Sequence, residues 1–422
     1  MPRKGDGGTL TGGLEGMRQL FRRGWLRRRR TAIVNKLARK YLRNSDDVLA
    51  NYGWVLNPDR PAMLAAAPRT SLRINWILPA ISTAQGGWLS IVRTVRQMEE
   101  AGHENRLYIL GGIGKGAAQA RESISRSYFP IGAEIYPLHD PAREKIADSD
   151  ALIATSWTTA YAARAIGNTA RKYYFVQDLE YMFYAPGSLH TFARNTYRFG
   201  FQGIALGQWI ASELRREYGM ECTAFGFSYD REHYGIDGER MYAPGRKRVL
   251  FYARPETERR GFELGILALA EVARHLPEVE LVLVGFDGRA VELPFKAVLP
   301  GVVPVSRLGA LYRSCDAALV LSHTNLSLLP LELMACGCAV VSNSGPNVEW
   351  LLNQGNARVA HPDPLSLAAA VTDLLQDDAE RQRLTANALV FAESTDWRRE
   401  IKVVESVLMA GGERLLQMTK HD

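Results

Sequence analysis

Two segments in different halves of the chain are near copies of one another: Asp150-Ala-Leu-Ile-Ala-Thr-Ser156 and Asp316-Ala-Ala-Leu-Val-Leu-Ser322. Each is an acidic residue leading into an uninterrupted apolar run that ends in serine. A short apolar run without polar alternation is a strand buried on both faces, as in a parallel sheet covered by helices. Two such strands far apart in one chain predict two doubly wound α/β halves. A length of 422 residues, 46% hydrophobic and 23% charged, gives material for two cores.

Other apolar runs extend this pattern. LRINWILPA from Leu72 reads as a strand, followed by STAQGG, a periodic helix from Trp88 to Ala101 and a second strand in ENRLYILGG. Further buried strands are expected at Tyr173–Val176, Gly203–Leu206, Val249–Tyr252 and Leu281–Val284. The polar, aperiodic stretch 229–247 reads as a linker between a domain at 71–228 and another at 248–395. A helix after Trp397 (396–422) is long enough to cross back to the first domain.

Residues 1–70 read as an appendage, with a short helical pattern at 31–43. The net charge of +7 is concentrated there: Arg18, Arg22, Arg23, Arg27 to Arg30, Arg39, Lys40 and Arg43 interleave with Leu14, Met17, Leu20, Phe21, Trp25, Leu26 and Ile33. Residues 14–43 therefore suit an amphipathic helix on an anionic membrane surface, or a solvated basic arm. No nucleic-acid recognition motif accompanies the charge. No apolar run reaches the ~18 residues of a membrane span, and the expectation is a cytoplasmic protein, peripheral at the inner face of the membrane if that helix binds. Cys222, Cys315, Cys336 and Cys338 lack zinc-site spacing and read as small buried hydrophobes in a reducing compartment, so no metal site is expected.

Two motifs carry chemistry. In VLFYARPETERRGF, Arg254 stands immediately beyond a strand, with Arg259 and Arg260 one short loop on, before a helix running to His275. Guanidinium at that place suits a diphosphate leaving group whose charge grows as its bond to a sugar breaks. In LSHTNLSLLPLELMACGCAVVSNSGPNVEWLL a strand ends at Ser322 and a helix starts near Pro330. Loop amides at Ser327 and Leu328 can meet phosphate, and Glu332 can accept hydrogen bonds from vicinal ribose hydroxyls. A further helix is expected to start around Glu349. On the other half, Gln177, Asp178 and Glu180 follow the strand YYFV at its carboxyl end, with Tyr181, Phe183 and Tyr184 beside them. A carboxylate there can take or orient an acceptor hydroxyl proton, and an aromatic ring can stack on a sugar.

From Leu72 to the C-terminal helix the chain resembles glycosyltransferase family 4, through the Gly86-Gly87 loop, the strand-end Arg254 and the PLE-helix-Gly-strand pattern around Glu332. Within that family, YYFVQDLEYMFY, FARNTYRFG, FYARPETERRGF and SLLPLELMACG are most similar to bacterial rhamnosyltransferases that build polyrhamnose-type surface glycans from dTDP-L-rhamnose. The resemblance implies a GT-B fold, two Rossmann-like domains facing across a cleft. It implies a retaining reaction without a cofactor, an acceptor glycan or lipid-linked glycan in the first domain and a nucleotide sugar in the second. Gly86, Gly87 and Arg254 would then meet donor, with Arg254 on the diphosphate and Glu332 on ribose. Arg259 or Arg260 would replace the family's usual lysine. From their place after the strand YYFV, and not from the resemblance, Gln177, Asp178, Glu180 and Tyr181 are expected to face acceptor, with Asp178 and Arg254 as the catalytic residues. The family's first glutamate is Thr324 here, which keeps open a catalytically silent glycan-binding subunit; a UDP- or GDP-sugar donor in the same fold is a separate alternative. A Rossmann oxidoreductase is the remote third. Asp148-Ser-Asp150 matches the D-x-D of metal-dependent transferases but precedes a strand, and Gly112-Ile-Gly114-Lys-Gly116-Ala117 reads as a flexible turn.

Overall fold

The repeated acidic residues close the same edge in two sheets. Asp150 Oδ2 accepts from the backbone N–H of Arg73 at 2.8 Å, and Asp316 Oδ2 accepts from that of Arg248 at 2.8 Å. Each carboxylate thus satisfies the first donor of a neighbouring central strand, which no ladder partner reaches. Asp150 also pairs with Arg69 and Arg73, at 2.8 and 3.0 Å, which gives this half of the D-x-D match a structural task.

The computed structural model describes residues 61–418 apart from 68, 83–85, 115, 287, 289 and 290, with 411–418 as backbone. The helical pattern at 31–43 and the basic segment 14–43 lie outside the described residues. The first sheet contains β1 (Arg73–Leu78), β2 (Glu104–Leu110), β3 (Glu134–Leu138), β4 (Ala151–Ala154), β5 (Lys172–Val176), β6 (Gln202–Leu206) and β7 (Cys222–Phe225). Its helices are α1 (Gly86–Glu100), α2 (Ala117–Ser127), α3 (Trp157–Ala165), α4 (Ser188–Asn195) and α5 (Gln208–Tyr218). The second sheet contains β8 (Arg248–Tyr252), β9 (Glu280–Val284), β10 (Val298–Gly301), β11 (Ala317–Val320), β12 (Ala339–Asn343) and β13 (Arg358–Ala360). With it go α6 (Phe262–His275), α7 (Val305–Tyr312), α8 (Leu329–Ala335), α9 (Pro346–Glu349), α10 (Pro364–Gln376), α11 (Asp378–Ser394) and α12 (Trp397–Met418).

The strand orders are β3-β2-β1-β4-β5-β6-β7 and β10-β9-β8-β11-β12-β13, and the paired strands are parallel throughout. In each sheet the order reverses once, between β1 and β4 and between β8 and β11. The loops leaving those strands diverge to opposite faces and leave a crevice at the carboxyl ends. Arg254–Arg260 and Ser322–Leu328 leave the two strands at the second crevice.

Residues 226–247 form no helix or strand, yet Phe227, Tyr229 and Tyr234 are buried. α12 packs on α1 and β7, burying Trp397, Ile401, Val404 and Leu408. Glu400 Oε2 accepts from Gly226 N at 2.6 Å, and Tyr173 donates its hydroxyl to Leu408 O at 3.5 Å. The last helix thereby fastens the second sheet's chain to the first.

Two helix boundaries differ from the sequence reading. α1 begins at Gly86, two residues before Trp88. The helix expected to start around Glu349 instead starts at Pro346 and ends at Glu349, whose Oε1 accepts from Gly345 N at 2.9 Å. The glycine run after β2 is a turn into α2, with Gly111, Gly112, Gly114 and Gly116 at φ of 81°, 107°, 62° and 116°.

Candidate active site

The loop after β5 and the loop after β11 meet across the cleft. Asn325, which no sequence signal singled out, is the centre of the seam. Its Nδ2 donates to Gln177 O at 3.1 Å and Leu206 O at 2.8 Å, and its Oδ1 accepts from Trp350 Nε1 at 3.0 Å. Asp178 answers from the other side. Its Oδ1 accepts from Asn325 N at 3.0 Å and Leu179 N at 2.8 Å, and its Oδ2 accepts from Thr324 Oγ1 at 2.7 Å. Asp178 therefore does not stand as an open carboxylate on the acceptor side: it is buried in the seam with both oxygens engaged. Burial raises its pKa against the pull of Asn325, Arg260, Thr324 and Arg259.

The three arginines of the loop after β8 have different surroundings. Arg254 is exposed, its guanidinium carbon 4.8 Å from the centre of the Tyr252 ring. Arg259 is half-buried, 4.1 Å over the Phe183 ring of the opposite domain and 4.0 Å from Asp178 Oδ2, with no hydrogen-bond partner on its buried Nε. Desolvation lowers its pKa. Arg260 is turned inward: Nη1 donates to Ser322 Oγ at 2.7 Å and Asn325 O at 3.0 Å, and burial brings its pKa down to about 10. Arg254 and Arg259 are thus the guanidiniums with donor capacity to spare, while Arg260 braces the loop that carries Asn325.

Glu332 lies on α8, in electrostatic reach of Arg254 and hydrogen-bonded by Tyr234 from the segment between the sheets. Burial pushes its carboxyl up to about 7, with Asp230 adding to that and Tyr234 and Arg254 opposing it. Tyr234 stacks on Tyr312 with ring centres 5.7 Å apart. Ser327 and Leu328 precede α8 half-buried, Leu328 as its N-terminal flank. His323 is exposed and donates its N–H to Arg259 O at 2.9 Å.

On the first domain, Gly86 and Gly87 open α1 against the seam, and Gly87 O accepts from Gln177 Nε2 at 3.1 Å. Glu180 is engaged within the first domain, in electrostatic reach of Asp178 and Arg259. Its Oε2 accepts from Trp157 N and, at 3.2 Å, from the Tyr174 hydroxyl, and burial raises its pKa to about 8. On the 3-10 turn Glu180–Phe183, Tyr181 is half-buried against His190 and Arg194, Met182 is exposed, and Phe183 lies under Arg259. Of the residues named from sequence, the structure gathers Gln177, Asp178, Gly87, Arg254, Arg259, Arg260 and Glu332 around one cleft, and sets Glu180 and Tyr181 behind its wall. Sequence reasoning missed Asn325, Trp350 and Tyr234. Asn325 was within sight as the residue after Thr324; Tyr234 sits in an aperiodic stretch that carries no signal. Among the described residues no group of His, Cys, Asp and Glu is placed to hold a metal ion, and the four cysteines are free and buried.

The two facing parallel sheets have the GT-B fold. Solved structures with that likeness include Anabaena HepE in complex with UDP and glucose, 15% identical with a TM-score of 0.59 over 80% of this chain and 99% of that one. Another is WaaG, a glycosyltransferase involved in lipopolysaccharide biosynthesis, 12% identical with a TM-score of 0.56 over 79% and 99%. Among sequences, the model of "WsaF, C-terminal domain" matches residues 247–372. The O-antigen biosynthesis protein RfbC of Myxococcus xanthus is 38% identical over 268 residues, which is 62% of this chain and 21% of that protein. A phosphatidyl-myo-inositol mannosyltransferase of Mycolicibacterium smegmatis is 27% identical over 240 residues, 50% of this chain and 62% of that one. The chain thus spans a fifth of the first relative's length and under two thirds of the second's.

Proposed function

We propose that this protein is a glycosyltransferase that moves a sugar from a nucleoside diphosphate to a glycan acceptor in surface polysaccharide synthesis. The observation that carries the reading is the convergence of Arg254, Arg259 and Glu332 at the strand-order reversal of the second sheet, opposite the loop after β5. Two guanidiniums there neutralise a diphosphate as it departs, and a low-dielectric wall strengthens that interaction. Glu332, ionised above pH 7, accepts from ribose hydroxyls and fixes the nucleotide's other end. Asp178 holds the loop 322–325 in register, so that the acceptor hydroxyl meets a preformed cleft. The likeness to RfbC and to WaaG supports a surface-glycan acceptor.

The donor in this reading is dTDP-L-rhamnose, supported by the rhamnosyltransferase-like segments around Asp178, Arg254 and Glu332, and the reaction retains configuration without a metal ion. The test is release of nucleoside diphosphate from dTDP-L-rhamnose, a UDP-sugar and a GDP-sugar, each with and without glycan acceptor. Preferential release of dTDP is expected. Preferential UDP or GDP release would change the donor, and no release from any of them would return the chain to a glycan-binding subunit. Membrane association belongs to the same reading and rests on residues 14–43. A chain starting at residue 71 should sediment less with anionic vesicles than the full chain, and equal sedimentation would remove that part.

A further inference from the structure

The turn Glu180–Phe183 has two sides. Its inner side sets Phe183 under Arg259 of the cleft. Its outer side sets Tyr181 against a cationic stripe. α4 and the 3-10 turn Thr196–Arg198 that continues it place His190, Arg194 and Arg198 four residues apart, hence on one face. Arg198 lies 4.8 Å from the centre of the Tyr218 ring, and Arg194 lies 5.8 Å from that ring and 5.8 Å from the Tyr181 ring. Arg194 Nε donates to the Tyr218 hydroxyl at 3.0 Å, and His190 meets Tyr181 edge-on at 5.0 Å.

Both arginines are exposed, and among the described residues neither is in an ion pair. The nearby carboxylates Glu213 and Glu217 are taken by Arg216 at 2.7 and 2.9 Å; Glu217 acts on Arg194 through space only. Solvated arginines four residues apart relieve their repulsion by swinging away from one another. Here aromatic faces and a phenol hydroxyl hold them together, so the ordering cost of a two-guanidinium anion site is already met before any ligand arrives. Two guanidiniums drawn to one ring, Arg194 keeping its Nη donors free of Tyr218, match the several oxygens of a phosphate better than the single plane of a carboxylate.

We propose that Arg194 and Arg198, braced by Tyr181 and Tyr218, bind a phosphate group carried by the acceptor. The attribution to an acceptor rests on the glycosyltransferase reading, because the patch and the Arg259 side of the cleft lie on opposite sides of one short turn; the anion site itself does not. A phosphate there comes either from a lipid headgroup or lipid-linked diphosphate at a membrane, or from a soluble glycosyl phosphate.

The test is calorimetric titration of inorganic pyrophosphate into the full chain, with dTDP or UDP added to occupy the cleft. Arg194→Gln/Arg198→Gln should weaken binding about tenfold or more, as loss of charge-assisted hydrogen bonds predicts. Arg194→Lys/Arg198→Lys keeps the charge but loses the forks and the Tyr218 anchor, so it should fall between parent and the Gln pair, and Arg240→Gln/Arg246→Gln, two exposed arginines elsewhere, should leave binding unchanged. Equal binding by parent and the Gln pair, at unchanged melting temperature, overturns the proposal; a Gln pair that melts early is replaced by the Lys pair and by Tyr218→Phe, which should weaken binding through loss of the Arg194 anchor. Sedimentation with phosphatidylglycerol vesicles then separates the sources. A further loss in the Gln pair relative to parent assigns the phosphate to lipid, and no difference assigns it to a soluble group. If no sugar nucleotide is hydrolysed by the parent, the function reading fails while the titration still decides the anion site.

Discussion

In the glycosyl transfer proposed above, Arg254 and Glu332 would differ in what they meet as the reaction proceeds, so their substitutions should differ. Arg254 would face charge that increases at the transition state, and Arg254→Ala should lower turnover by roughly a hundredfold, as with loss of a preorganised oxyanion partner. Glu332 would meet ribose, which does not change, so Glu332→Gln should chiefly raise the donor KM, by about 1.5–3 kcal/mol in binding. Because burial raises the Glu332 carboxyl to about 7, donor KM in the parent should fall as pH rises through that value, and the Gln variant should lose this dependence. A flat pH profile in the parent would remove Glu332 from the ribose. Glu180 gives a stability prediction of definite sign. With its pKa at about 8 in the folded protein against an ordinary value of 4.5, the fold keeps a proton that the unfolded chain has released, so stability falls as pH rises from about 4.5 to 8. Glu180→Gln can still accept from Trp157 N and Tyr174, and should raise the melting temperature more at pH 8.5 than at pH 5. Equal shifts at both pH values would mean that Glu180 titrates normally.

At the scale of elements, close approach of α6 to β8 reverses an ordinary rule. Gly265 lies inside the helix, where Ala is favoured over Gly by about 1 kcal/mol. A Cβ there would lie 2.3 Å from Phe251 Cζ in the β8 strand. Overpacking costs about 1–3 kcal/mol, and because the ring is locked in a buried layer, Gly265→Ala should lower the melting temperature; an increase would show that the ring has room to yield. The same layering decides what the sequence disclosed. β1, β2, β4, β5, β6, β8, β9, β11 and β12 were legible because strands inside a parallel sheet are covered on both faces and read as apolar runs. β3 (EIYPL), β7 (CTAF), β10 (VLPG) and β13 (RVA) were not, and these four are the sheet edges, where one flank is open and Pro or Arg is tolerated. The site divides in the same manner. Arg254 and Glu332 are legible because a charged residue just past an apolar strand announces itself locally. The partnership of Asp178 with Thr324 and Asn325 joins residues about a third of the chain apart and exists only once the domains have closed.

For the whole molecule, the seam at Asn325 joins closure to the donor site. Asn325 O accepts from Arg260 and from Ser322 Oγ, its N–H meets Asp178, and its side chain spans Gln177 and Leu206 of the first domain. Asn325→Ala deletes the two side-chain bonds across the seam and leaves the carbonyls of Gln177 and Leu206 facing an apolar methyl. Each buried acceptor left unmade costs on the order of 1–3 kcal/mol, whereas opening the seam lets water satisfy both. The variant should therefore populate an opened arrangement. Two results are expected together: a larger radius of gyration in small-angle scattering than the parent shows, and turnover reduced about tenfold or more. Affinity for the nucleoside diphosphate should change less, because Arg254 and Glu332 belong to the second domain and keep their places, although Arg259 loses Phe183 and Asp178 when the first swings away. A variant with parental scattering and parental turnover would mean that the α12 strap and the buried residues of 226–247 hold the domains without Asn325. Loss of nucleotide affinity in step with turnover would mean instead that Asn325 acts through Arg260 on the donor loop, and closure would not be the quantity it controls.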